Sequence, residues 1–80
     1  MSVRSEVIAQ VTQVAREQDK HLAPLADDLE LINSGLDSLC MAVIVARLED
    51  SLGVDPFATA EGGFPVTLGE FIEFYENAAQ

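Results

Sequence analysis

Val3, Val7, Val11 and Val14 recur at spacings of four, four and three at the start of the chain. Ile8 and Ala15 widen that apolar stripe, while Arg4, Gln10, Gln13, Glu17 and Gln18 fall on the other side. The period predicts an amphipathic helix from about Ser2 to Lys20 with one buried face. Its valines lower the intrinsic propensity, so tertiary packing must hold it. The period is lost from His21 to Asp37, where Pro24, Asp27-Asp28 and Asn33-Ser34-Gly35 are loop signals. Leu22, Leu25, Leu29, Leu31, Ile32 and Leu36 are scattered through this stretch, so the loop is expected to lie across the helices and cover the core. Its length is near the upper limit for a loop inside a compact domain.

A second helix is predicted from about Ser38 to Leu52. Asp37 and Ser38 are both capping types, and Gly53 stops it. Met41, Ile44, Val45, Leu48 and Leu52 form its expected core face. Leu39, Val43, Ala46, Arg47 and Asp50 form the opposite face, which is partly apolar. A short helix is expected around Phe57 to Glu61, between Asp55-Pro56 and Gly62-Gly63. The last helix starts at Thr67, where Thr67-Leu68-Gly69-Glu70 has capping-box spacing, and Leu68, Phe71, Ile72, Tyr75 and Ala79 make its stripe. The fold class is therefore all-α: a single domain over 1–80, a small antiparallel bundle of three main helices and one short one with a long first loop.

Composition narrows the function. Eighty residues leave room for one core and hardly for a deep catalytic cleft. Apolar residues make up 49% and charged residues 22%, which is globular rather than disordered. Fourteen acidic residues against four basic ones give a net charge of −10. Nucleic-acid phosphate and anionic membrane surfaces would be repelled, and basic protein surfaces attracted. The single cysteine, Cys40, builds neither a disulfide nor a thiolate metal site within the chain. The N-terminus lacks the apolar run of a signal peptide, and Leu39 to Ala46 is too short to span a bilayer, so a cytoplasmic monomer without membrane insertion is expected.

The chemistry concentrates in Gly35-Leu36-Asp37-Ser38-Leu39, where the long loop becomes a helix. This segment sets a primary hydroxyl at a helix N-terminus, where unpaired N–H groups and the helix dipole favour a phosphate ester. With Leu29 upstream and Leu48-Glu49 and Gly53-Val54 downstream, it resembles the signature of the acyl carrier protein family. The resemblance runs from about Ala26 to Tyr75.

It implies a 4′-phosphopantetheine arm on Ser38, installed from coenzyme A by a phosphopantetheinyl transferase that Asp37 helps to recognise. It also implies a thioester-linked acyl or aminoacyl cargo, loaded by a ligase and passed to a downstream synthase or transferase. No catalytic residue and no resident metal are expected. Fatty-acid-type carriers have an acidic second helix, whereas Leu39-Cys40-Met41-Ala42-Val43 carries no charge. Docking is therefore expected through Leu39, Cys40, Val43, Ala46, Arg47 and Asp50, in a specialised lipid, polyketide or peptide-type pathway.

Other residues have plainer readings. Cys40 is read as helix-surface packing, His21 as a residue ending the first helix, and Asp27, Asp28 and Glu30 as a solvated acidic loop without EF-hand spacing. Phe57, Phe64, Phe71, Phe74 and Tyr75 are core and lid residues, and with a fatty acyl cargo some of them would line a transient pocket, which the spacing alone does not fix. The alternative to a carrier is an acidic helical adaptor or nucleic-acid mimic without a prosthetic group. A minimal enzyme lacks any triad or metal spacing.

Overall fold

The computed structural model describes residues 2–57 and 63–79. Three α-helices organise them: α1 (Val3–Glu17), α2 (Ser38–Leu52) and α3 (Leu68–Ala78). Helix α1 packs against both α2 and α3. The core is Val7, Val11 and Val14 of α1, Ile44 and Leu48 of α2, and Leu68, Phe71, Ile72 and Tyr75 of α3. The expected short helix over Phe57 to Glu61 lies, beyond Phe57, outside the described residues.

Each helix has an identifiable start and stop. In α1, Ser2 caps by accepting the Ser5 N–H at 3.0 Å. The helix ends three residues before the expected Lys20. Asp19 takes a left-handed conformation, φ +56°. The Lys20 N–H then reaches back to the Ala15 carbonyl at 2.8 Å and the Asp19 N–H to that of Arg16 at 3.2 Å. This is a Schellman ending with Asp in the position glycine usually fills; a short polar side chain tolerates that conformation. His21 therefore lies in the loop, not on the last helical turn.

Helix α2 has the expected bounds, capped by Asp37 and stopped by left-handed Gly53, whose N–H bonds the Glu49 carbonyl at 2.8 Å. Helix α3 begins with the expected capping box: the Glu70 N–H donates to Thr67 Oγ1 at 3.2 Å, and the Thr67 N–H to Glu70 Oε1 at 3.1 Å. Thr67 is the cap rather than the first helical residue. Ala79 falls past the helix end and is exposed, so it is not part of the buried stripe.

The long loop does cover the core, and it is sewn in place. Leu31 is buried in a 3₁₀ turn over Leu31–Asn33, and Leu22, Leu25 and Leu36 pack against the core. Ile32 is the exception and faces solvent. The Leu31 N–H donates to the Val66 carbonyl and the Leu68 N–H to that of Leu29, both at 2.9 Å. Glu30 and Thr67 thereby form an antiparallel bridge. Ser34, fully buried, donates its hydroxyl to the Leu31 carbonyl at 2.6 Å and accepts the Leu36 N–H at 3.3 Å. Arg4 pairs with Asp27 at 2.7 Å and anchors the loop to the first turn of α1. These bonds hold the loop where it delivers Asp37 and Ser38 to the start of α2.

A serine at the mouth of an apolar groove

Asp37, and not Ser38, closes the N-terminus of α2. Its Oδ1 accepts the Cys40 N–H at 2.8 Å, and its Oδ2 lies 3.0 Å from the Lys20 ammonium. The hydrogen bond from the Cys40 N–H, and then the Lys20 partner, hold the Asp37 carboxyl far below the usual carboxylate range. The same pair raises the Lys20 ammonium above its ordinary value. Because the neighbour supplies the cap, the hydroxyl of Ser38 is not spent on it. Ser38 is the first residue of α2 and is exposed.

Beside Ser38 opens a groove of about 1070 Å³. Met41 and Val45 of α2 form one side, Leu31 and Leu36 of the loop another, and Phe57, Phe64 and Val66 the third. Asp37 and Ser38 are its only polar side chains among the described residues. Behind it stands an aromatic cluster. Phe57 stacks on Phe64 with ring centroids 5.1 Å apart and meets Tyr75 edge-on at 5.9 Å, while Phe71 meets Tyr75 at 5.2 Å. Offset and edge-on pairs of this kind add to simple burial, so the inner wall of the groove is a packed part of the core.

The other residues expected to form the site divide into several environments. Leu39, Ala46 and Asp50 are exposed on the stripe next to the groove. Val43 is half-buried and packed against the core, so it is not a free surface residue. Arg47 is engaged with Glu17 of α1 through both carboxylate oxygens, Nη1 to Oε2 at 3.0 Å among them. Cys40 is fully buried, which corrects its expected place on the helix surface. Cys40, Ile44 and Leu48 are spaced by four, so all three face α1 and the core; that spacing was present in the sequence.

Of the groove, the sequence reading reached only the aromatic side, as a transient pocket for a fatty acyl cargo; Phe57 and Phe64 line it. Met41 and Val45 looked like core residues, and the Phe64-Pro65-Val66 triplet, apolar yet outside any helix, was a further visible signal. A scan of protein-family models finds none that matches the chain, and searches of curated proteins and of solved structures likewise return no match.

Proposed function

We propose that this chain is a carrier protein of the acyl or peptidyl type, with 4′-phosphopantetheine attached through the Ser38 oxygen. One observation carries this reading: an exposed primary hydroxyl, relieved of capping duty, opens α2 at the end of an apolar groove. The resemblance of Gly35-Leu36-Asp37-Ser38-Leu39 to the carrier signature adds the identity of the group.

The residues present suit such a group. A phosphodiester on Ser38 would lie in the positive field of the helix N-terminus. The Asp37 carboxylate next to it would oppose a second negative charge, but Lys20 at 3.0 Å offsets that charge. When attached, the arm supplies a thiol that holds an acyl or aminoacyl group as a thioester. The groove is wide and apolar enough to take up an apolar cargo beside its attachment point. Asp37 is the residue a transferase would meet first, since its carboxylate is half-exposed and adjacent to the accepting oxygen. Partner ligases and synthases of a specialised pathway belong to the same reading, as does a cytoplasmic setting. Among the described residues no helix is long and apolar enough to cross a membrane.

An acidic adaptor without a prosthetic group is the second reading, favoured by the exposed Ile32 on an otherwise well-packed loop. The two separate in one assay. The purified protein is incubated with a fluorescent coenzyme A analogue, Mg²⁺ and a broad-specificity phosphopantetheinyl transferase. The carrier reading predicts labelling that disappears in Ser38→Ala. An unlabelled wild-type protein beside a labelled control carrier would leave the adaptor.

A further inference from the structure

All four phenylalanines and the single tyrosine of the chain meet in one cluster. Phe57 stands at its centre, with its ring centroid 5.1 to 6.2 Å from those of Phe64, Phe71, Phe74 and Tyr75. Only two of these rings, Phe57 and Phe64, line the groove. They are nearly parallel, with 13° between their planes. Phe64 has Phe57 against it and is still 53% exposed, so much of its ring is open to whatever enters. The segment that carries it is held in place. Pro65 is buried, and the Val66 carbonyl accepts the Leu31 N–H at 2.9 Å.

These walls sort ligands in three ways. A further ring laid on Phe64 would continue the stack, and an aromatic pair gains about two- to tenfold in affinity over burial of the same area. Met41 lines the α2 side, and a thioether also favours a ring beside it. Rigidity is the second factor. Behind Phe57 stand Phe71 and Tyr75, both fully buried, so the wall is closed there. A long alkyl chain would have to fold within the open groove and freeze a rotor at each carbon, whereas a ring arrives already rigid. Polarity is the third. Asp37 and Ser38 are the only polar side chains lining the groove among the described residues, and Asp37 is already held by Lys20. A hydroxyl or charge on the ring would lose water without gaining a side-chain partner.

We propose that the groove selects an aryl acyl group, a short acyl thioester that ends in an unsubstituted aromatic ring, and that Phe64 sets this selectivity. The tether to Ser38 rests on the carrier reading; the ring preference is a property of the walls and is tested without it.

The test titrates the unmodified, ¹⁵N-labelled protein with the phenylpropionyl, cyclohexylpropionyl and octanoyl thioesters of N-acetylcysteamine. Amide shift changes are expected at Met41, Phe57 and Phe64. The phenyl compound should bind about two- to tenfold tighter than its saturated twin, and tighter than the octanoyl compound. Phe64→Leu, at an exposed position, keeps the wall apolar and should bring the two ring compounds to equal affinity. Phe64→Trp keeps a stacking face and should preserve the preference. Equal affinity of the two ring compounds for the wild type, octanoyl as the tightest ligand, no shift at the groove with any of them, or an unaltered ratio in Phe64→Leu would overturn the proposal. In a second arm, a broad-specificity transferase carries the same groups to Ser38 on coenzyme A analogues. A chain left unmodified refutes the carrier reading and leaves the titration standing. A modified chain whose groove shows no ring preference refutes this inference and leaves the carrier reading standing.

Discussion

Lys20 sets its ammonium 3.0 Å from the Asp37 carboxylate and so joins the turn that ends α1 to the residue that caps α2. The two lie at opposite ends of the long loop, and the pair closes it at the start of the candidate site. The Asp37 carboxyl is held well down, first by the Cys40 N–H and then by Lys20. A carboxyl whose pKa is lower in the folded chain than in the unfolded one contributes stability above its ordinary pKa, near 4. That contribution is lost as pH falls below this value. Urea midpoints measured from pH 7 to pH 2 should therefore fall in acid. Asp37→Asn keeps a good cap and should show a shallower acid limb. Some slope will remain, because Asp27 and Glu17 are lowered by Arg4 and Arg47 in the same sense. An unchanged limb in Asp37→Asn would contradict the assigned cap.

The approach to Ser38 passes through Gly35, at φ +99°, where a Cβ would collide with the His21 carbonyl oxygen. Gly53 also has positive φ, +72°, but faces open space. Gly35→Ala should cost on the order of 1–3 kcal/mol from backbone strain alone, with the collision in addition. Gly53→Ala should cost about 1 kcal/mol. Urea denaturation of the two variants checks the order, and equal losses would mean that the loop does not pass so close to His21.

Tyr75 is fully buried, yet its hydroxyl has no hydrogen-bond partner among the described residues. An orphaned buried hydroxyl is destabilising, so Tyr75→Phe should raise stability by about 1 kcal/mol. Burial, then the carboxylates of Asp55 and Glu49, push the phenol up to about 12. A group whose pKa is raised on folding contributes stability below its unfolded pKa, near 10, and loses it as pH climbs toward the folded value. The wild type should lose stability between those two values, while Tyr75→Phe should not lose that part. A Tyr75→Phe protein less stable than wild type would point to a partner for the hydroxyl.

Leu39 and Val43 looked equivalent as docking residues in the sequence, but only Leu39 is exposed. Leu39→Glu should leave stability within about 0.5 kcal/mol and slow modification of Ser38 by the transferase. Val43→Glu buries a charge beside the core and should destabilise by about 1–3 kcal/mol. Thermal melts and loading rates of the two variants, taken together, separate a docking loss from a folding loss.

Much of the fold was legible because local signals and burial agreed. Asp37 and Gly53 bound α2 at the predicted residues, and the Thr67–Glu70 box starts α3. The end of α1 was overshot because Asp19, not a glycine, takes the left-handed position. The burial of Cys40 was legible in its spacing to Ile44 and Leu48, although Cys40 itself was read as helix-surface packing and as part of the docking face. The place and the other walls of the groove were not legible, beyond a pocket expected among the aromatic residues. Whether Met41 and Val45 face a packed core or an open cleft depends on where the loop and the Phe64–Val66 segment are tied across the molecule. Those ties are backbone bonds such as Leu31 to Val66, which side-chain patterns do not encode. The same holds for Ile32, one residue from buried Leu31 on a turn whose direction is fixed by Ser34.

The central claim is that Ser38 is a point of covalent attachment. The most direct measurement is the intact mass of the protein after co-expression with a broad-specificity phosphopantetheinyl transferase, followed by fragmentation to locate any added group. The account predicts a gain of one phosphopantetheine on the peptide that holds Ser38, and none in Ser38→Ala. An unmodified chain, from cells in which a control carrier is fully converted, would contradict it.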